Sequence, residues 1–128
     1  MAIIKTTLGK NLETTGILVD SAAHVKTAFI DPRSEMNPGE LLCAALGACM
    51  MTKLGFVASK RGEDVSGAEV TLEPVFDDKH TRITAIKVKF SFPECLKEDQ
   101  KAFYAQAAQE CPVHNSLRED IAFNVSVK

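Results

Sequence analysis

Two cysteines stand in settings that could support redox chemistry. Cys49 closes the run Ala45-Leu46-Gly47-Ala48, whose small residues let another segment approach closely. Cys111 opens Cys-Pro-Val-His-Asn-Ser-Leu at residues 111–117. If Pro112 starts a helical turn, Cys111 sits at its N-cap. Unpaired N–H groups and the positive dipole end there favour a thiolate. A thiolate that meets a peroxide becomes a sulfenic acid, and a second thiol can condense with it to a disulfide. A plainer reading stays open on these residues alone, that both are buried core cysteines, because free cysteine is among the most buried residue types. Cys43 falls on a different helical face from Cys49 and reads as core; Cys95 reads as a loop or strand-end thiol. His114 with Cys49 and Cys111 would supply three zinc-type donors. No fourth ligand and no Cys-x-x-Cys pair accompanies them, so no metal is expected. His24 and His80 fall in polar turns and carry no chemistry.

The segment that must position Cys49 runs from Asn37 to Gly62. Asn37 is a helix cap, Pro38 suits the first helical position, and Glu40 stands three residues past the cap. Leu41–Met51 carries no charge. Lys53, Lys60 and Arg61 suit the negative end of the dipole, and Gly62 can take the left-handed stop conformation. The pattern predicts one long helix, apolar on every side and therefore buried all round. Before it, Ile3–Leu8, Ile17–Val19 and Val25–Ile30 read as strands, with a turn at Gly9-Lys10-Asn11. After it, Ala68–Phe76 alternates, with Val70, Leu72 and Phe76 on one face, and Pro74 argues for an edge or a bulge. Ile83–Phe92 alternates with Ile86, Val88, Phe90 and Phe92 inward. Leu96, Gln100, Phe103, Ala107 and Cys111 share a helical face over Leu96–Glu110; a short helical turn follows to Leu117, then a closing strand with Ile121, Phe123, Val125 and Val127. The order βββ-α-ββ-α-β predicts an α+β fold. One sheet cannot cover an all-apolar helix, so a second copy of the chain is expected on its other side.

With 128 residues, the chain is expected to form a single domain over 1–128 with a real core. A net charge of −2 and no basic cluster argue against nucleic acid. Met1-Ala-Ile-Ile-Lys lacks the regions of a secretory leader, and the apolar run of the central helix is shorter than the ~20 residues that span a bilayer. A cytoplasmic protein without a membrane partner is expected, with its four cysteines reduced.

The two cysteine segments together resemble the OsmC/Ohr family, the osmotically inducible and organic-hydroperoxide-resistance proteins. Asn37, Pro38, Glu40, Leu41, Ala44, Ala45, Ala48 and Cys49 fit the first family motif, and Cys111 with Pro112 fits the second. The strand–helix order agrees along nearly the whole chain. The resemblance implies an OsmC-like fold, an intertwined homodimer, and a thiol peroxidase acting on organic hydroperoxides. Cys49 would be the attacking thiol and Cys111 the resolving one, with a lipoyl-type or other dithiol as reductant and neither metal nor flavin as cofactor. Family members also use a Glu near the helix start and an Arg from the N-terminal part. Here Gly39 stands where that Glu would directly follow Asn-Pro, and Glu40 comes one residue later. Arg33 is the only arginine upstream of Cys49. Glu40 and Arg33 are thus the candidates for those roles, against a capping carboxylate and a solvated loop residue. These departures point to the less characterised OsmC-like branch. They keep a second function in view, a binding or redox-sensing protein whose cysteine pair lines an apolar pocket at the dimer interface.

Overall fold

The computed structural model describes residues 2–128. The chain forms two compact parts that meet in sequence at Leu42 and Cys43. The first holds β1 (Ile4–Leu8), β2 (Thr14–Leu18) and β3 (His24–Thr27), an antiparallel sheet in that order. Asn11 and Leu12 take positive φ in the β1–β2 turn, where Gly9 donates its N–H to the Glu13 carbonyl. β2 starts three residues before the expected strand, because Thr14 and Thr15 pair with β1 and β3 although neither is apolar. β3 takes in His24, expected in a turn, and stops at Thr27. There the Ala28 N–H leaves the ladder for the Met36 carbonyl. Much of this sheet's apolar surface is exposed: all of β1 is, and so are Ile17 and Val25, with Phe29 and Ile30 just beyond β3.

Helix α1 (Pro38–Lys60) begins in the first part and continues into the second. Its start is a reciprocal capping box: the Glu40 N–H donates to Asn37 Oδ1 at 2.8 Å, and the Asn37 N–H donates to Glu40 Oε1 at 2.9 Å. Its end is a Schellman motif. Gly62, at φ 67°, donates to the Ser59 carbonyl and Glu63 to that of Ala58.

The second part packs α1 on a sheet ordered β4 (Glu69–Phe76), β5 (Ile83–Ser91), β6 (Ala122–Val127). β4 is antiparallel to β5 and β6 parallel to it, with α2 (Glu98–Ala108) and α3 (Pro112–Ser116) in the connection. Leu46, Met50, Leu54 and Ala58 of α1 meet Ile86, Val88 and Phe90 of β5 and Tyr104, Ala105 and Ala108 of α2 in one core. Gly47 lets α1 approach closely: a Cβ there would lie 3.0 Å from a Leu72 methyl and 3.5 Å from a Val70 methyl of β4.

Two sequence expectations fail for physical reasons. Pro74 does sit on an edge strand beside a bulge, but the bulge between Val75 and Phe76 reverses the alternation. Phe76 therefore turns outward and stacks on His80 at 5.2 Å instead of joining Val70 and Leu72. On α2 the buried face is Tyr104, Ala105 and Ala108, one position on from Phe103 and Ala107. Tyr104 can go inside because its hydroxyl finds Glu63 Oε1, which also accepts from Arg61; Phe103 stays out, under the Arg61 guanidinium. Within one chain α1 is covered on one side only, the arrangement for which a second copy was expected on the other. Cys43, Leu46, Gly47, Met50, Leu54 and Ala58 are covered, while Ala44, Ala45, Ala48, Thr52 and Phe56 are exposed, because the sheet and α2 reach one side only. At 23 residues α1 would suffice, by length and composition alone, to cross a membrane, which the Leu41–Met51 run did not suggest. Its buried stripe is instead the centre of the core just described.

Candidate functional site

The structure assembles the four candidate residues as two pairs. The first pair is Cys49 and Cys111. Cys49 stands on α1 beside the buried stripe and is half-buried. Cys111 is the N-cap of α3 and has no exposed surface. The two thiols are close enough for Cys49 to act on the Cys111 thiol. Neither they nor Cys95 is in a disulfide, and Cys95 is exposed, away from the core.

The N-cap position was expected to favour the Cys111 thiolate. The N–H groups of His114 and Val113 do pull in that direction. Burial outweighs them, and the neighbouring Cys49 adds to it, so the Cys111 thiol is pushed up from its ordinary value. At rest Cys111 is a protonated thiol in an apolar enclosure, held against the one thiol of the pair that solvent can reach.

Cys49 opens on a hollow of about 570 Å³ formed with Ala48, Thr52, Lys53, Phe56 and Pro112. Most of these walls are apolar carbon, and Lys53 is the only charged residue among them. Sequence reasoning assigned Lys53 to the helix dipole and passed over Phe56. Their spacing was the available signal: Cys49 to Lys53 and Thr52 to Phe56 are each four residues apart, one turn of the same helix. His114 lies three residues past Cys111, but its ring packs on Phe123 at 4.2 Å. Its Nε2 is buried with no hydrogen-bond partner among the described residues. Among those residues no three His, Cys, Asp or Glu side chains gather as a metal site.

The second pair is Arg33 and Glu40. The Arg33 guanidinium grips both carboxylate oxygens of Glu40, with Nη2 to Oε2 at 2.9 Å. Its Nη1 also donates to the Glu35 carbonyl at 2.9 Å, and its Nε lies 3.1 Å from Asp31. Arg33 is thus no free loop residue; three neighbours use its donors. The bond from Arg33, then the one from the Asn37 N–H, holds the Glu40 carboxyl below its usual range. Glu40 therefore caps the helix and pairs with the arginine at once, so the two readings of the sequence do not exclude each other.

The model of the OsmC-like protein family matches residues 31–126. That span includes Arg33, Glu40 and both cysteines of the first pair. No protein of curated function matches the chain. Among solved structures, it is 25% identical to a Psychrobacter arcticus protein named for osmotic stress induction and a detoxification response. That match has a TM-score of 0.88 and covers 100% of this chain and 96% of the other. It also resembles the organic hydroperoxide resistance protein OsmC of Legionella pneumophila, at 18% identity, TM-score 0.79 and coverage of 100% and 96%. For the organic hydroperoxide resistance protein OhrB of Bacillus subtilis the values are 16%, 0.73, and 100% and 98%. The last two likenesses speak to the fold, which is the mixed α+β arrangement expected. With three quarters of its length matched to one family model, the chain belongs to the OsmC-like protein family.

Proposed function

We propose that this chain is a cysteine-based peroxidase that reduces organic hydroperoxides. The observation that carries the reading is the asymmetry of the thiol pair: a half-exposed Cys49 on an apolar hollow, beside a fully buried Cys111 whose thiol is pushed up. The Cys49 thiolate attacks the terminal oxygen of the hydroperoxide. The S–O bond forms, the O–O bond breaks, and the alkoxide leaves and takes a proton as the alcohol. Sulfur has lost two electrons and is a sulfenic acid. Cys111 gives up its proton and attacks that sulfur; the S–S bond forms and water departs. An external dithiol of lipoyl type then reduces the disulfide by exchange. Arg33 and Glu40 take the family's Arg and Glu roles in activating Cys49. No cofactor enters these steps.

The names of the hydroperoxide-resistance neighbours support the substrate class. A homodimer built from one OsmC-like domain over residues 1–128 accompanies the reading. Two bare surfaces support it: the exposed apolar residues of β1–β3 and the uncovered Ala44, Ala48 and Phe56 side of α1. The reducing cytoplasm is the proposed setting, with neither membrane nor nucleic acid as partner.

Turnover decides the matter. With excess dihydrolipoamide, cumene hydroperoxide should be consumed catalytically and faster than hydrogen peroxide, and Cys49→Ser should abolish this. A slow, stoichiometric loss of thiol with no preference for the organic peroxide would overturn the proposal. It would favour the second reading, a ligand-binding or redox-sensing protein, which the apolar hollow and the raised Cys111 thiol also suit.

A further inference from the structure

A disulfide closes only if Cys111 stays in place, and the element that carries it is slight. α3 has five residues, too few to persist as a helix on its own in water. Its internal bonds run from the Asn115 N–H to the Cys111 carbonyl at 3.0 Å, from Ser116 Oγ to the Pro112 carbonyl at 2.7 Å, and from the Leu117 N–H to the His114 carbonyl at 3.2 Å. They shape the turn and tie it to nothing else. Side chains do the tying. Val113 and Leu117 reach the core, and the His114 ring lies on Phe123 of β6, with centroids 4.2 Å apart and planes tilted by 30°. Phe123 is a firm anchor: it stands opposite Ile86 of β5, which has no exposed surface. Cys111 is the N-cap of α3 and His114 its third residue, so the ring that grips β6 stands one turn from the thiol.

The grip comes at a cost. His114 Nε2 is buried and has no hydrogen-bond partner among the described residues. Its own chain already encloses that atom, so a second copy of the chain cannot reach it. The ring is therefore held by its face and not by this nitrogen.

We propose that His114 is the positioning residue of the resolving thiol: its ring, stacked on Phe123, fastens α3 to β6 and so keeps Cys111 beside Cys49. The ring nitrogens take no part. The inference rests on the peroxidase reading only for naming Cys111 the resolving thiol.

The test needs no peroxide. One equivalent of dithiobis(nitrobenzoate) is added to the full-length protein carrying Cys95→Ser, which removes the exposed thiol. The Cys49 thiolate displaces one thionitrobenzoate and forms a mixed disulfide. Cys111 then loses its proton and attacks the Cys49 sulfur; the Cys49–Cys111 bond forms, the mixed disulfide breaks, and the second thionitrobenzoate leaves. Each release is a separate phase of colour. His114→Ala should leave the first phase unchanged and slow the second by roughly tenfold or more, because a thiol set loose by about 1 Å loses much of its effective concentration. The factor should be the same at every pH, since position is lost and not a proton carrier. His114→Phe keeps the ring without its nitrogens and should restore the second phase.

A parent protein with no second phase overturns the proposal, and so does a second phase in His114→Ala as fast as the parent's. A second phase in His114→Phe as slow as that of the alanine variant would assign the role to a ring nitrogen and overturns it equally. If alanine slows both phases alike, phenylalanine still decides: recovery of the second phase supports the stack, and no recovery overturns it. A protein that closes the disulfide in this assay and consumes no hydroperoxide loses the peroxidase reading and keeps this one.

Discussion

Gly47 offers a direct way to move Cys49 without touching it. It faces β4 from the buried stripe of α1, two residues before the thiol. An added Cβ would stand 3.0 Å from Leu72 Cδ1 and 3.5 Å from Val70 Cγ1. The nearer contact is the end of a flexible side chain, so a rotamer change of Leu72 can relieve it. Alanine also gains about 1 kcal/mol of helix propensity over glycine. Gly47→Ala is therefore expected to change stability by less than about 1 kcal/mol, since the small clash and the propensity gain offset each other. Gly47→Val adds two further methyls where one carbon already has little room. Overpacking of this kind costs roughly 1–3 kcal/mol, and the propensity gain of valine over glycine recovers only a fraction of it. A net loss of about 2 kcal/mol should lower Tm by several degrees in a chain of this length. Because α1 must lift away from β4 to admit the valine, closure of the Cys49–Cys111 disulfide should slow as well. Urea titration gives the first quantity and quenched-flow thiol mapping the second. A valine variant as stable as the parent, with unchanged closure, would refute the claim that close approach at Gly47 sets the position of Cys49.

Three other expectations follow from the side-chain chemistry. Burial pushes the Cys111 thiol up and only its thiolate can resolve a sulfenic acid, so disulfide closure should accelerate by about tenfold per pH unit up to the raised value. A rate flat from neutral to alkaline pH, followed by dimedone trapping, would contradict that assignment. Asp120 is held at about 2, first by its hydrogen bonds to Arg118 and then by the Arg118 and Arg82 charges. A depressed carboxyl stabilises the fold above its unfolded value of about 3.9 and stops doing so as pH falls through the folded one. The Tm gap between the parent and Asp120→Asn should therefore be full at neutral pH and close between about 4 and 2; a gap that widens in acid would contradict the pairing. Arg33→Ala should slow Cys49 oxidation by about tenfold or more if the Arg33–Glu40 pair activates the thiol. An unchanged stopped-flow rate would leave Glu40 as a helix cap alone.

Much of this architecture could be read from residue types. Asn37, Glu40 and Gly62 mark the ends of α1 because capping is local chemistry, written within a few residues of each end. The core positions of β5 follow from strict alternation. What escaped depends on partners distant in sequence. Nothing near Tyr104 signals that Glu63 waits to accept its hydroxyl, so Phe103 looked the better core residue. A bulge at Val75 reverses Phe76 without altering the composition around it. The same holds at the site. The Cys49 and Cys111 motifs were legible, but the sequence could not give the burial that keeps Cys111 protonated, nor the hollow that brings Lys53 and Phe56 beside Cys49. Both depend on how α1 and α3 meet.

The most direct test of the thiol assignment is peptide mapping of the reduced protein after one equivalent of cumene hydroperoxide. The account predicts a single Cys49–Cys111 disulfide formed within the first turnover, and in Cys111→Ala a Cys49 sulfenic acid that dimedone traps. Oxidation that begins at Cys95 or spreads evenly over all the cysteines, with no Cys49–Cys111 linkage, would contradict it.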